Sequence, residues 1–321
     1  MNSRILRFVY IAIVLVLTYG FITYKIIRFE ELTSFDYSIL LNRPSSLLLI
    51  FLILLLMIIN WSIETLKWQK LILSLQNIAF INSFKAVIAG VSIGLFTPNR
   101  VGEIGGRILF LEKGNRTAGA FASAIGSFAQ FVATILMGII GFVLFLLLFP
   151  EKTHINPILN KSLAIIFTFF LFILTWGYYH IKRIVPRLLT FSFFKKREAP
   201  FRAISHLPSK TSTTVLALSI LRYLVFSIQF FLLLRLFNVH ISLIEGAVSI
   251  SMTYLFMTII PTTTLLELGL RGSLAIIFIG LFSENIVGIV MASIFLWIIN
   301  IAIPAVIGTF YLIKPKSLNL S

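Results

Sequence analysis

The chain has 321 residues, of which 59% are apolar and 12% charged, and a mean hydropathy of +1.02. That charged share is about half of what a soluble domain carries, which excludes an ordinary soluble enzyme or binding module. The formal charge of +16 would suggest nucleic acid in a soluble protein; here the basic residues cluster beside apolar runs, where topology and anionic lipid headgroups account for them, and no nucleic-acid partner is expected. The absence of cysteine excludes disulfides, thiolate metal sites and cysteine nucleophiles.

In chain order, six apolar runs read as full spans: Phe8 to Ile27, Leu47 to Leu66, Thr117 to Phe149, Ser162 to Ile181, Thr211 to Phe237 and Glu284 to Ile313. The first follows Arg4 and Arg7 but is long for a signal peptide and ends in Lys25 and Arg28, so it reads as a retained helix. Pro304 predicts a kink in the last span. Two regions, Phe84 to Leu111 and Gly246 to Leu281, instead hold short apolar arms split by a proline and then charges. Phe84 to Phe96 would make a helix of about 20 Å, too short for a hydrocarbon core of roughly 30 Å. Both regions therefore read as re-entrant helical hairpins, which are tolerated where protein or a water-filled cavity surrounds them.

The segment from Lys182 to Lys210 is crowded with Lys and Arg, with Glu198 its lone acid, and should face the cytoplasm. Counting crossings from it puts both termini, the Lys67 to Lys85 segment, and Lys113 with Arg116 on that same side. Arg100, Arg107, Arg222 and Arg271 then fall within the membrane. The expected fold is all-α: one polytopic membrane domain over residues 1–321, with a first repeat at 47–149 and a connecting span at 158–181. A second repeat at 211–313 has inverted topology, because the connecting span reverses its direction. The expected location is a bacterial cytoplasmic (inner) membrane, with the N- and C-termini cytoplasmic.

The strongest internal echo lies at the two hairpin tips. Pro98 leads into Glu103-Ile-Gly-Gly-Arg107, and Pro261 leads into Glu267-Leu-Gly-Leu-Arg271. At this spacing each Glu and Arg share a helix face and can pair. Ionisable groups at membrane depth are costly, so such pairs mark a functional site by default; mutual neutralisation that holds the hairpins together is the bland alternative. Arginine also presents a planar donor fork suited to phosphate. Arg100, Arg107 and Arg271 are thus candidate headgroup ligands, and Glu103 and Glu267 candidate tuning or proton-carrying groups. Thr97, Pro98, Gly102 and Gly105 read as the first tip, Pro261 and Gly269 as the second. Gly90, Gly94 and Gly106 complete the glycines expected to allow close packing around the hairpins, with Gly138 and Gly141 in the third span. Glu64 and Arg222 read as snorkelling residues at span ends, and Gln130 and Asn300 as hydrogen-bonding glue between helices. No histidine spacing resembles a metal site, and no cofactor is expected.

Thr97-Pro-Asn-Arg-Val-Gly-Glu-Ile-Gly-Gly-Arg107 resembles the T-P-x-R-x-G-E-x-x-R signature of the lysylphosphatidylglycerol synthase transmembrane-region family. That family is the flippase-like membrane part of bacterial multiple peptide resistance factors, also found in stand-alone form. The likeness covers Leu47 to Ile313; at the second tip Thr262, Thr263 and Thr264 stand where the family often has a glycine-rich run. The resemblance implies a lipid-translocating fold with a cavity near the bilayer middle. With the chain ending at Ser321, the soluble synthase domain of the fused proteins is not expected, nor is aminoacylation. The expected activity is therefore flippase-like transport of an anionic or phosphate-bearing lipid, with no enzymatic step. Two alternatives from other classes are a membrane-embedded lipid-modifying transferase and a non-transporting accessory subunit of a lipid or glycan synthesis pathway. The expected partners are membrane lipids with anionic headgroups, with room for a homo-oligomer or a lipid or glycan synthase.

Overall fold

A computed structural model of the chain describes residues 44–97, 100–153, 156–180, 209–260 and 264–313. Among these residues every regular element is a helix. The longer elements are α1 (Pro44–Ile72), α2 (Phe80–Gly94), α3 (Gly102–Ile108), α4 (Arg116–Leu148), α5 (Pro157–Tyr179), α6 (Ser209–Leu236), α7 (Leu243–Ile259), α8 (Thr264–Ile279), α9 (Ile286–Trp297) and α10 (Ile303–Ile313), with short turns of helix at Lys113–Asn115 and Pro150–Thr153. A π-turn at Ile298–Ala302 fuses α9 to α10. Five stretches are long and apolar enough to cross a bilayer: Ser46–Ile72, Lys113–Leu148, Pro157–Tyr179, Lys210–Leu236 and Ile286–Leu312. They coincide with five of the six spans read from the sequence. The sixth, Phe8 to Ile27, lies outside the described residues, as do most of the basic Lys182 to Lys210 segment and both prolines, Pro98 and Pro261.

Local chemistry sets the helix ends. Asn156 caps α5 by accepting from Ile158 N–H at 2.9 Å, with Pro157 at the first helical position. Ser242 and Glu245 form a capping box at the start of α7, each side chain bonded to the other's backbone N–H. Asn238 closes α6 in the left-handed region at φ 57°. Pro304 has no N–H, and its ring would crowd the carbonyl four residues back. The ladder there widens, with Ile303 N–H reaching Ile298 O, so a π-turn stands just before the proline.

α1 and α6 pack along each other, α4 packs on α7, and α10 packs on α2. The core between them buries Trp61, Trp68, Phe230, Tyr254 and Trp297. α5 is the outlier: it leans on α4 and leaves Ile165, Phe169 and Phe172 exposed, as a lipid-facing helix would.

Glycines permit the closest approaches. A Cβ on Gly106 would lie 2.5 Å from Gly90 Cα, one on Gly94 would meet the Glu103 side chain at 2.5 Å, and one on Gly308 would collide with Ile88 O. The first two clamp α2 antiparallel to α3, and the third seats α10 against α2. Gly138 and Gly141 admit Leu255 and Ser251 of α7 to the surface of α4. Gly105 and Gly269 do not act this way: nothing lies within 4 Å of a Cβ built on either. Their side of the helix faces open space, which corrects the expectation of close packing there.

Gly106→Ala must push two backbones apart and should cost about 1–3 kcal/mol in a detergent melting experiment. Gly105→Ala should be neutral or stabilising by up to ~1 kcal/mol, since it only gains helix propensity.

Candidate functional site

The site begins in the C-terminal half of α1. Trp61, Glu64 and Lys67 follow at helical spacing, so they share a face and turn it inward. Glu64 is 3% exposed and Lys67 is fully buried, and their charges meet at 2.7 Å. Glu64 also accepts from Arg107 Nη1 of α3 at 2.9 Å and lies 3.2 Å from Arg222 Nη1 of α6. One carboxylate thus holds cations from three helices. Neither Glu64 nor Arg222 snorkels, because their partners stand inside the bundle and make a solvated head unnecessary. Lys67, expected on the cytoplasmic side, is instead a buried cation, as Arg107 and Arg271 are.

The network continues in both directions. Arg107 Nη2 donates to Glu103 at 2.9 Å, the contact its spacing allowed, and Glu103 also pairs with Arg100 Nε at 3.2 Å. Arg222 Nε donates to Asn60, whose amide donates to Asn300 in the π-turn; Asn300 in turn donates to Gln229. Lys67 Nζ donates to Gln130 of α4 at 3.3 Å, and Gln130 donates to Ser219 O of α6. Gln130 and Asn300 do join helices, and they do so as extensions of the ion network.

At the first tip, Thr97 Oγ1 accepts from Gly102 N–H at 2.7 Å and so stops the first turn of α3. A Cβ on Gly102 would strike Ile93 O at 2.7 Å and Thr97 at 2.8 Å. Arg100 sits in this turn at φ 58°. A side chain in the left-handed region costs about 1–2 kcal/mol, and such strain concentrates at functional sites. On the second side, Arg271 Nη2 donates to Glu267 at 2.8 Å, and its guanidinium lies over Phe226 at 5.7 Å. Arg271 is 4% exposed, yet its Nε and Nη1 have no hydrogen-bond partner among the described residues.

The charged groups of this network line two neighbouring cavities that have part of their walls in common. The narrower, about 270 Å³, is walled by Trp61, Arg100, Arg222, Tyr254 and Arg271, among others. The wider, about 770 Å³, is walled by Glu64, Lys67, Glu103, Arg107 and Glu267, and shares Arg100, Gln130, Thr134, Arg222, Met257 and Thr258 with the first. All five candidate ligands line this pair of cavities (the hollow): Arg271 the smaller, Glu103, Arg107 and Glu267 the larger, and Arg100 both. The sequence reading missed Lys67, Trp61 and Tyr254. The inward face of α1 and the aromatics flanking Arg222 were the signals available.

Two features define what the hollow can do. Among the described residues, five cations (Lys67, Arg100, Arg107, Arg222, Arg271) and three carboxylates (Glu64, Glu103, Glu267) line the two cavities, an excess of two positive charges. Residues that line it also carry buried polar atoms without a hydrogen-bond partner among the described residues, including Trp61 Nε1, Tyr254 Oη, Arg100 Nη2, and Arg271 Nε and Nη1, each with almost no exposed surface of its own. Each of these can donate a hydrogen bond. A pocket of buried donors with surplus positive charge suits an anion with several acceptor oxygens.

Comparison with known protein families, with curated proteins and with solved structures gives no match to this chain.

Glu64→Gln would leave Lys67, Arg107 and Arg222 without their shared counter-charge. Breaking a buried ion pair this way costs about 3–5 kcal/mol, and the melting temperature should fall accordingly. Glu103→Gln, at a carboxylate 17% exposed, should cost clearly less. Equal losses would contradict Glu64 as the hub.

Proposed function

We propose that the chain is a flippase-like transporter that moves an anionic, phosphate-bearing lipid headgroup through its central cavity, in a bacterial cytoplasmic membrane. The observation that carries this reading is the surplus positive charge of the hollow, together with the unpartnered donors of Arg271, Arg100, Trp61 and Tyr254. A phosphate would satisfy both at once: its charge offsets the excess, and its oxygens accept from buried N–H and O–H groups. A binding cavity of some hundreds of cubic ångströms at membrane depth is what a headgroup needs to leave one leaflet for the other.

The same reading takes the two broken regions as re-entrant hairpins of an inverted repeat, with six full spans when Phe8 to Ile27 is included and both termini cytoplasmic. Supporting it, α2 has 15 residues and α7 has 17, about 22 and 26 Å of helix, short of a bilayer core of roughly 30 Å. Each precedes a break and then a Glu–Arg pair, and both pairs line the hollow. Transporters built on inverted repeats hold their substrates at such interrupted helices. The likeness of Thr97 to Arg107 to the signature of the lysylphosphatidylglycerol synthase transmembrane-region family points the same way. A lipid-modifying transferase is less well served, because Glu64, Glu103 and Glu267 each hold a cation and none is poised as a general base.

The roles divide by geometry. Arg107 gives both terminal nitrogens to carboxylates and positions the tip, whereas Arg100 and Arg271 keep donors for the ligand. The clean test is Arg100→Gly, which relieves the left-handed backbone and leaves Glu103 paired with Arg107. In vesicles carrying a fluorescent anionic phospholipid, this variant should melt no lower than the parent yet flip the lipid about tenfold slower or worse, the worth of a charged hydrogen bond. Undiminished flipping would remove Arg100 from the headgroup path.

A further inference from the structure

Resting on the reading of the hollow as an anion site, we propose that its narrower cavity seats the terminal phosphate of a lipid phosphate monoester, held by Arg100, Arg222 and Arg271. The ligand class is then a lipid that ends in an unsubstituted phosphate. Arg222, read from the sequence as a snorkelling residue, joins the groups that bind it.

The two cavities differ in charge. Glu64, Glu103 and Glu267 all line the wider one, beside Lys67 and Arg107. Among the described residues no carboxylate lines the narrower one, whereas Arg100, Arg222 and Arg271 all do. Each arginine is paired with a carboxylate on the wider side and brings its own charge to the narrower. The tip linkers, residues 95–101 and 260–263, bring no charge besides Arg100. The neighbours of the three guanidiniums there include Trp61, Tyr223, Phe226 and Tyr254. Positive charge set among aromatic rings and away from bulk water is costly until an anion joins it.

Each arginine is oriented by the protein and keeps a terminal nitrogen. Arg222 gives Nε to Asn60 at 3.0 Å and Nη1 to Glu64 at 3.2 Å, with its guanidinium over the Trp61 ring, which leaves Nη2. Arg271 gives Nη2 to Glu267, and its Nη1 has no hydrogen-bond partner among the described residues. Arg100 meets Glu103 through Nε, and its Nη2 has no such partner either. Arg100 and Arg222 line both cavities and have side chains 26% and 20% exposed, so they stand at the junction.

Three donors and two surplus charges match one ligand chemistry. A phosphate monoester has three terminal oxygens and carries about −1.5 to −2 charge at neutral pH. A phosphodiester has two free oxygens, one charge, and a second substituent for which the narrower cavity must find room. A zwitterionic headgroup adds an ammonium, and all three carboxylates already hold cations. The wider cavity, which meets the narrower along Arg100 and Arg222, takes the part of the lipid next to the phosphate.

The test is isothermal titration calorimetry of the full-length protein in detergent. The probes are dihexanoyl phosphatidic acid (monoester), dihexanoyl phosphatidylglycerol (diester), dihexanoyl phosphatidylcholine (zwitterion) and inorganic phosphate. Titrations are run at about pH 8 and about pH 5, on either side of a monoester's second ionisation. At the higher pH the wild type should bind the monoester about tenfold or more tightly than the diester, the worth of one further charged hydrogen bond. The zwitterion and inorganic phosphate should bind more weakly than the monoester. At the lower pH the monoester loses its second charge while the diester keeps its one, so their ratio should fall towards one. Arg222→Lys keeps the charge beside Glu64 without the planar fork, and should weaken the monoester about tenfold and the diester much less. If that variant does not fold, the wild-type ratio and its pH dependence decide alone. A diester or zwitterion bound as tightly as the monoester, or a preference that survives at the lower pH, would overturn the proposal and leave the anion site standing. A folded Arg222→Lys protein with the whole preference intact would remove Arg222 from the seat and overturn it too. Inorganic phosphate bound as tightly as phosphatidic acid would make the free ion the ligand and overturn the lipid assignment. If none of the four probes binds, the anion site falls, and the proposal with it.

Discussion

The arrangement depends on a single carboxylate. Glu64 sits 3% exposed in the bundle interior and is met by Lys67 from its own helix, Arg107 from α3 and Arg222 from α6. Burying any of these cations alone would be prohibitive, and burying them around one shared counter-charge is not. The arrangement therefore fixes more than local geometry: it sets how α3 docks against α1 and α6, and hence where Arg100 and the first tip stand. Gly90 and Gly106 supply the matching steric condition, since α2 and α3 must touch along their backbones for Arg107 to reach Glu64.

From that constraint the cavity follows. Three cations on one acid cannot be neutralised by it, and the two remaining carboxylates already serve Arg100, Arg107 and Arg271. The bundle accordingly carries surplus positive charge around a hollow among the described residues, and several residues that line it hold buried donors with no acceptor there. Arg100 is held in the left-handed region where glycine would be at ease. A fold that tolerates such strain for a guanidinium, when a glycine would relieve it, gains something from that charge at that place. The proposed transport of an acidic headgroup would give the surplus charge, the strain and the cavity a common purpose.

Much of this was legible in the residues, for physical reasons. Apolar runs of bilayer length identify spans irrespective of tertiary detail, and five of those read from the sequence reappear as helices. The Glu–Arg spacing fixed which side chains could meet within α3 and α8, and both pairs form. What could not be read was partnership across helices. Glu64 and Arg222 are far apart in the chain, and a charge near the end of an apolar run looks the same whether it snorkels or meets a buried partner. Lys67 was assigned by its distance from the run rather than by its helical face. Glycine was over-read in the same manner: Gly105 and Gly269 sit in the motif, but their faces meet nothing, whereas Gly308, outside any motif, lies against Ile88.

The most direct test of the central claim is a high-resolution cryo-electron microscopy structure of the full chain in nanodiscs made from a native lipid extract. The account predicts phosphate-sized density within hydrogen-bonding distance of Arg271 and Arg100, beside Tyr254 and Trp61, continuous with acyl chains that leave the hollow between helices. A well-resolved hollow occupied only by water, with both guanidiniums turned onto protein acceptors, would contradict it.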